Sequence, residues 1–165
     1  MPFESGHFFP YIGAISSPYV SIENMPIQPS GAEGQKGSVE IFPPYIGGLR
    51  DLEGFSHIIL VYHLHLVDGY SLEVVPFLDT GKHGIFATRS PRRPNAIGLS
   101  IVRLLSIEGS FIRFADPDMI DGTPLLDIKP YVAAFDRHDP EREGWLEDKA
   151  LHAKDVRSDG RFSSS

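Results

Sequence analysis

Apolar and polar residues alternate with a period of two along much of the chain, most clearly over residues 55–66. There Ile58, Leu60, Tyr62, Leu64 and Leu66 fall on one face, while Ile59, Val61, His63 and His65 fall on the other. Apolar residues on both faces predict a central strand, although a segment of this length also suits a helix. Further strands are predicted at residues 11–16, 38–42, 72–77 and 85–88, with a Pro- and Gly-rich loop over 17–37. The β-branched run within residues 95–107 and the segment 110–115 flank Glu108-Gly109 and read as a hairpin. Residues 125–128 form a last predicted strand, stopped by Pro130. Only residues 143–153 carry helical spacing, through Trp145, Leu146, Ala150 and Leu151.

Seven or so short strands and one late helix predict a mainly β fold, a barrel or sandwich. The 16 glycines and 14 prolines are spread throughout, as the punctuation of many short elements requires. The length of 165 residues fits one domain, with a core at about 11–135 and a C-terminal helix and tail over 136–165, the tail frayed from 162 onward. Hydrophobic residues make up 41%, enough to bury a core. Cysteine is absent, which excludes disulfide scaffolds, Cys-ligated zinc, iron–sulfur clusters and thiol nucleophiles. The N-terminus lacks a basic segment followed by an apolar one, and no apolar run approaches the ~20 residues of a membrane span, so a cytoplasmic chain with no membrane partner is expected.

Charge changes the picture locally. The formal net charge is -7, the opposite of a protein that coats nucleic acid over its whole surface. Yet residues 82–103 hold five basic residues (Lys82, Arg89, Arg92, Arg93 and Arg103) and no acidic one. A basic patch on an acidic body docks a phosphate-rich partner at one place. Pro91 and Pro94 stiffen the loop that carries Arg89, Arg92, Arg93 and Asn95. Stiffened guanidiniums lose less entropy on binding phosphate or carboxylate; a plain surface turn accounts for the prolines alone.

Among the carboxylates, Asp118, Asp121 and Asp127 are candidates for holding a ribose hydroxyl or a cation, or for accepting a proton. Asp121-Gly122 taken alone is an ordinary turn. His63 and His65 share a strand face and could form half of a metal site. His57 lies roughly 20 Å away along the same strand, so no metal is expected and a hydrogen-bonded or ligand-lining role is favoured. No G-x-G-x-x-G follows a strand, Gly81-Lys82 leads into His83 rather than Ser or Thr, and no G-x-S-x-G occurs. Rossmann, P-loop and nucleophile-elbow sites are therefore not indicated.

Three motifs remain. They are Leu52-Glu53-Gly54-Phe55-Ser56-His57; the stretch from Phe86 through Arg89-Ser90-Pro91 to Arg93-Pro94-Asn95-Ala96-Ile97-Gly98; and Asp121-Gly122-Thr123-Pro124 with Asp127-Ile128-Lys129-Pro130-Tyr131. In this order they closely resemble the TrmO family, also called TsaA-like or YaeB-like, over about residues 11–135. The resemblance implies a small β-barrel that binds S-adenosylmethionine without a Rossmann fold. It further implies a homodimer with the cofactor near the subunit interface, and N6-methylation of the threonylcarbamoyl-adenosine just 3′ of the anticodon in certain tRNAs. By position it assigns the cofactor to Gln28, Pro29, His65, Leu66, Arg89, Leu99 and the segment Asp118, Met119, Ile120 and Asp121. It places Arg92, Arg93 and Asn95 in the region that faces the substrate, and Lys129 is expected to join Arg92 and Arg93 in binding the tRNA. Beyond the resemblance, which leaves the proton acceptor open, Asn95 is expected to orient the modified base and Asp121 to help remove the N6 proton. Where the family pattern reads Pro-Asn-Pro-Ile-Gly, Ala96 replaces the second proline, which loosens a turn and removes no chemical group. Several bacterial members carry an extra C-terminal domain implicated in tRNA binding, which this chain is expected to lack. The alternatives are a non-catalytic S-adenosylmethionine-binding module and a methyltransferase for a small acceptor.

Overall fold

In a computed structural model, which describes residues 6–159, six strands close into an antiparallel barrel. They are β1 (Gly13–Ser16), β2 (Lys36–Ile41), β3 (His57–His63), β6 (Ile97–Glu108), β7 (Phe111–Ala115) and β8 (Thr123–Pro130). Their order around the barrel is β1-β2-β7-β6-β3-β8, and β8 returns to β1 through Gly13↔Leu125 and Ile15↔Thr123. Two short strands, β4 (Glu73–Val74) and β5 (His83–Gly84), pair with each other outside the barrel.

The period-two pattern decides which faces go inside. Ile58, Leu60 and Tyr62 of β3 are buried, and with Ile15, Val39, Val102, Ile112, Phe114 and Leu125 they form the core. The other β3 face packs laterally: Ile59 stands opposite Ile101 and Val61 opposite Leu99 on β6. Hence the apolar residues on both faces identify a strand with neighbours on either side, as β3 has in β6 and β8. The Glu108-Gly109 hairpin forms, with Gly109 at φ 63°.

Several predicted elements are corrected. The strand expected at 85–88 is a 3-10 turn, Ile85–Ala87, because the Thr88 hydroxyl and amide both bond back to the Ile85 carbonyl. Of the strand expected at 72–77, only Glu73–Val74 pairs. The helix expected at 143–153 is two 3-10 turns, Gly144–Leu146 and Ala150–Asp155. Gly144 at φ 59° and Asp148 at φ 67° are left-handed, and a helix cannot run through either. The tail beyond residue 159 lies outside the described residues. Among the described residues no helix is long and apolar enough to cross a membrane.

Antiparallel order sends the connections that follow β1, β3 and β7 to one end of the barrel. These are residues 17–35, 64–96 and 116–122. At that end Gly98 stands opposite Tyr62, whose ring lies across the glycine, so that a Cβ there would overlap the ring. Gly98→Ala should therefore displace Tyr62 and lower stability by about 1–3 kcal/mol, measured by urea denaturation.

Candidate functional site

Two of the three connections are sewn together by short polar contacts. Ser17 Oγ donates to the Met119 carbonyl at 2.6 Å, and its amide donates to Asp121 Oδ1 at 3.1 Å. The Asp121 amide returns a bond to the Tyr19 carbonyl at 2.7 Å, and the Gly122 amide bonds Ile15 at 2.8 Å. With its backbone thus fixed, the 116–122 loop lays Met119 and Ile120 inward, where both are buried, and leaves the Asp121 side chain exposed.

Beneath this loop lies a polar chain inside the barrel. Ser100, buried on β6, donates to Asp118 Oδ1 at 2.6 Å and meets the Tyr62 hydroxyl at 2.8 Å. A serine has one proton to give, so with Asp118 ionised the Tyr62 hydroxyl is the donor to Ser100. Burial pushes the Asp118 carboxyl up to about 6, against the opposing pull of the Ser100 hydrogen bond and of the nearby Arg89 guanidinium. Tyr62 is held protonated, chiefly by its burial and then by the Asp118 charge.

The remaining connection, the second in chain order (residues 64–96), is stiffened from within by Arg93. Its Nη1 donates to the carbonyls of Thr88 (2.7 Å), Ile85 (3.1 Å) and Ser90 (3.5 Å). Arg93, expected to meet a phosphate-rich substrate, thus commits that nitrogen to shaping its own loop. Arg89 is exposed beside Asp118. Among the described residues, the buried side-chain polar atoms without a partner are His65 Nδ1, Ser90 Oγ and Arg92 Nε, and all three lie on this connection. Burial holds His65 below the ordinary histidine range, so it is neutral at pH 7.

The structure gathers most of the expected residues. Gln28 and Pro29 enter the 3-10 turn Pro29–Gly31, which packs against β6. His65, Leu66, Arg89, Arg92, Arg93 and Asn95 lie on the second connection and Asp118, Met119, Ile120 and Asp121 on the third. Leu99 is on the outer face of β6 near its start, 55% exposed. Lys129 is not brought to them: it stands opposite Ile59 toward the far end of β8, and its Nζ pairs with Asp127 Oδ2 at 2.8 Å. Nor is the Leu52–His57 motif, whose Leu52 and Phe55 line a cavity of about 530 Å³ at the other end of the barrel. His63 Nδ1 is engaged by the Tyr11 hydroxyl at 2.6 Å, and among the described residues no three acidic or histidine side chains form a metal-holding group.

Tyr62 and Ser100 were absent from the sequence-level set. The one signal for Ser100 is a hydroxyl within the apolar run 97–105 at an inward position, like Val102.

Comparison with known proteins identifies the family. The model of the tRNA-methyltransferase O N-terminal domain, TrmO_N, matches residues 14–137. The chain belongs to this family. A Pyrococcus abyssi protein named a probable S-adenosyl-L-methionine-binding protein is 50% identical over 153 residues, covering 93% of this chain and 83% of its own length. A tRNA (adenine(37)-N6)-methyltransferase of Mus musculus is 41% identical over 132 residues, 76% of this chain and 31% of the mouse protein. The crystal structure of TrmO from Pseudomonas aeruginosa superposes with a TM-score of 0.72 at 35% identity, covering 86% of this chain and 63% of that one. The TrmO_N match contains all six barrel strands apart from the first residue of β1.

The raised Asp118 carboxyl has a signed consequence. Between about pH 4 and 6 the folded chain keeps a proton that the unfolded chain releases, so this group's contribution falls as pH rises through that window. Asp118→Asn keeps an acceptor for Ser100 and lacks the charge. Thermal melting should show the variant more stable than the parent at pH 8, by about 1–3 kcal/mol, with the difference narrowing through pH 5 and closing below about pH 4.

Proposed function

We propose that this TrmO_N-family chain is a cytoplasmic, S-adenosylmethionine-dependent methyltransferase acting on N6 of the threonylcarbamoyl-adenosine beside the anticodon of tRNA. The observation that carries the reading is the meeting of three connections at one barrel end, which sets the exposed Arg89 beside the carboxylate of Asp118 under a loop rich in arginine. The family's methyltransferases and S-adenosylmethionine-binding proteins support it.

The residues fit the cofactor. Its carboxylate calls for a cation, which Arg89 supplies, and its ammonium and sulfonium call for a carboxylate, which Asp118 supplies. Its adenosine calls for apolar surface, and Leu66 and Leu99 are both exposed at this end. His65 Nδ1 and Arg92 Nε are polar atoms still without partners. Gln28, Pro29 and the backbone of Met119, Ile120 and Asp121 complete the assignment. When bound, the cofactor supplies an electrophilic methyl group.

The chain's own part is positioning and proton removal. Methyl transfer is an in-line displacement, so alignment supplies much of the acceleration. Asn95 orients the modified base, and Arg92 with the free face of Arg93 meets the phosphates. The Asp121 carboxylate, held through Oδ1 by the Ser17 amide and exposed at the rim, takes the N6 proton, which the threonylcarbamoyl group has acidified. The outer face of β6 presents Ile97, Leu99 and Ile101 to solvent, each more than two-fifths exposed. We assign this face to a second copy of the chain, which places Leu99 at both the subunit interface and the cofactor.

Two measurements test this. Calorimetric titration should show about one S-adenosylmethionine bound per chain, with ATP and NAD inert; absence of binding removes the cofactor assignment. Asp121→Asn keeps an acceptor for Ser17 and should lower turnover on threonylcarbamoylated tRNA by about 10²-fold with cofactor affinity unchanged. Full turnover would make Asp121 a turn residue and pass the proton to Asp118.

A further inference from the structure

The TrmO_N match ends at Arg137, and the chain beyond it does something specific. After β8 ends at the far side of the barrel, the polypeptide runs back to the site end and crosses two of its connections. Trp145 stacks on His83 with ring centroids 4.4 Å apart and 20° between planes. Its Nε1 donates to the Ala87 carbonyl at 2.7 Å, two residues before Arg89. Lys149 Nζ and His83 Nε2 both reach Asp79 Oδ2, at 2.9 and 2.8 Å.

The same segment then seizes the 17–35 connection. Its turn Ala150–Asp155 packs along Pro29–Gly31, the turn that follows Gln28. A Cβ on Gly31 would sit 3.0 Å from Arg157 Nη1 and 3.1 Å from the Lys154 carbonyl, so the C-terminal segment lies directly against this glycine. Beyond the turn, the Ser158 amide donates to Met25 at 2.9 Å, the Asn24 amide donates to Ser158 at 2.8 Å, and Ser158 Oγ donates to Ile22.

Arg93 shapes the Ile85–Ser90 turn from within, whereas Trp145, at His83 and Ala87, and Lys149, at Asp79, fix the same connection from outside to a segment whose other end grips residues 22–31. We propose that residues 145–158 are a strap that sets the spacing of the Arg89 and Gln28 walls of the cofactor site, with Trp145 as the positioning residue. This rests on the cofactor reading above for its ligand, but the mechanical linkage stands on the contacts alone.

The test uses the full chain, with Trp145→Ala, which removes both stack and hydrogen bond, and Trp145→Phe, which keeps the stack. Hydrogen exchange over residues 79–93 should rise in Trp145→Ala while β3 and β7 stay protected. The dissociation constant for S-adenosylmethionine should rise about five- to tenfold, the scale of one lost hydrogen bond, with Trp145→Phe between the two. Unchanged exchange and unchanged affinity in Trp145→Ala would overturn the strap. If the parent binds no S-adenosylmethionine, the cofactor reading fails, and the exchange result still decides whether the strap restrains the loop. Should Trp145→Ala lose its fold, Lys149→Met removes only the ion pair to Asp79 and should move both readouts in the same direction by a smaller amount.

Discussion

Closure of the sheet onto itself is the constraint from which the rest follows. β1 is four residues long, yet it is paired on both sides, to β2 and to β8, and those two ladders convert an open sheet into a barrel. Closure removes the unpaired edges that a six-stranded sheet would expose. It also fixes which connections share an end, because an antiparallel cycle alternates strand directions without exception. Arg89, Asp118 and Gln28 are far apart in the chain, and closure brings the connections that carry them to one end of the barrel.

Closure also creates the electrostatics. The barrel interior is apolar where Ile15, Val39, Leu60 and Phe114 fill it, so a carboxylate admitted at its mouth keeps little water. Asp118 is tolerated because Ser100 and Tyr62 extend a hydrogen-bonded chain upward to meet it. A group held this way is destabilising when ionised and unoccupied, and is satisfied when a cation arrives. Such an arrangement stores part of the binding free energy of a positively charged ligand in the folded protein.

Legibility followed the physics of each signal. β3 could be read because one strand face is buried in the core and the other packs against β6 and β8, so both periodicities are present in Ile58–Tyr62. The basic loop could be read because prolines and arginines act locally. The C-terminal helix could not: Trp145, Leu146, Ala150 and Leu151 have helical spacing, but left-handed Gly144 and Asp148 interrupt it and Trp145 is spent on His83 and Ala87. The Tyr62–Ser100–Asp118 chain was invisible for a different reason. It depends on the β3–β6 register and on a loop folded over the barrel mouth, neither of which leaves a local mark. Lys129 stands apart from the other named residues because a motif records order along the chain, and β8 carries that order toward the other end of the barrel.

The β1–β8 closure has a kinetic side. Ser17 and Asp121, the contacts that seat the rim, are 104 positions apart in the chain, and β1 has no partner on its β8 side until residue 123 exists. Loop-closure entropy must be met before those contacts can return anything, which places this fold among the slower-forming topologies. On the ribosome, β2 and β3 are complete long before the sheet can close, and their apolar faces wait for β8. The barrel end that carries Arg89, Asp118 and Gln28 is therefore assembled only when the sheet closes, and the residues of the strap are made after every strand.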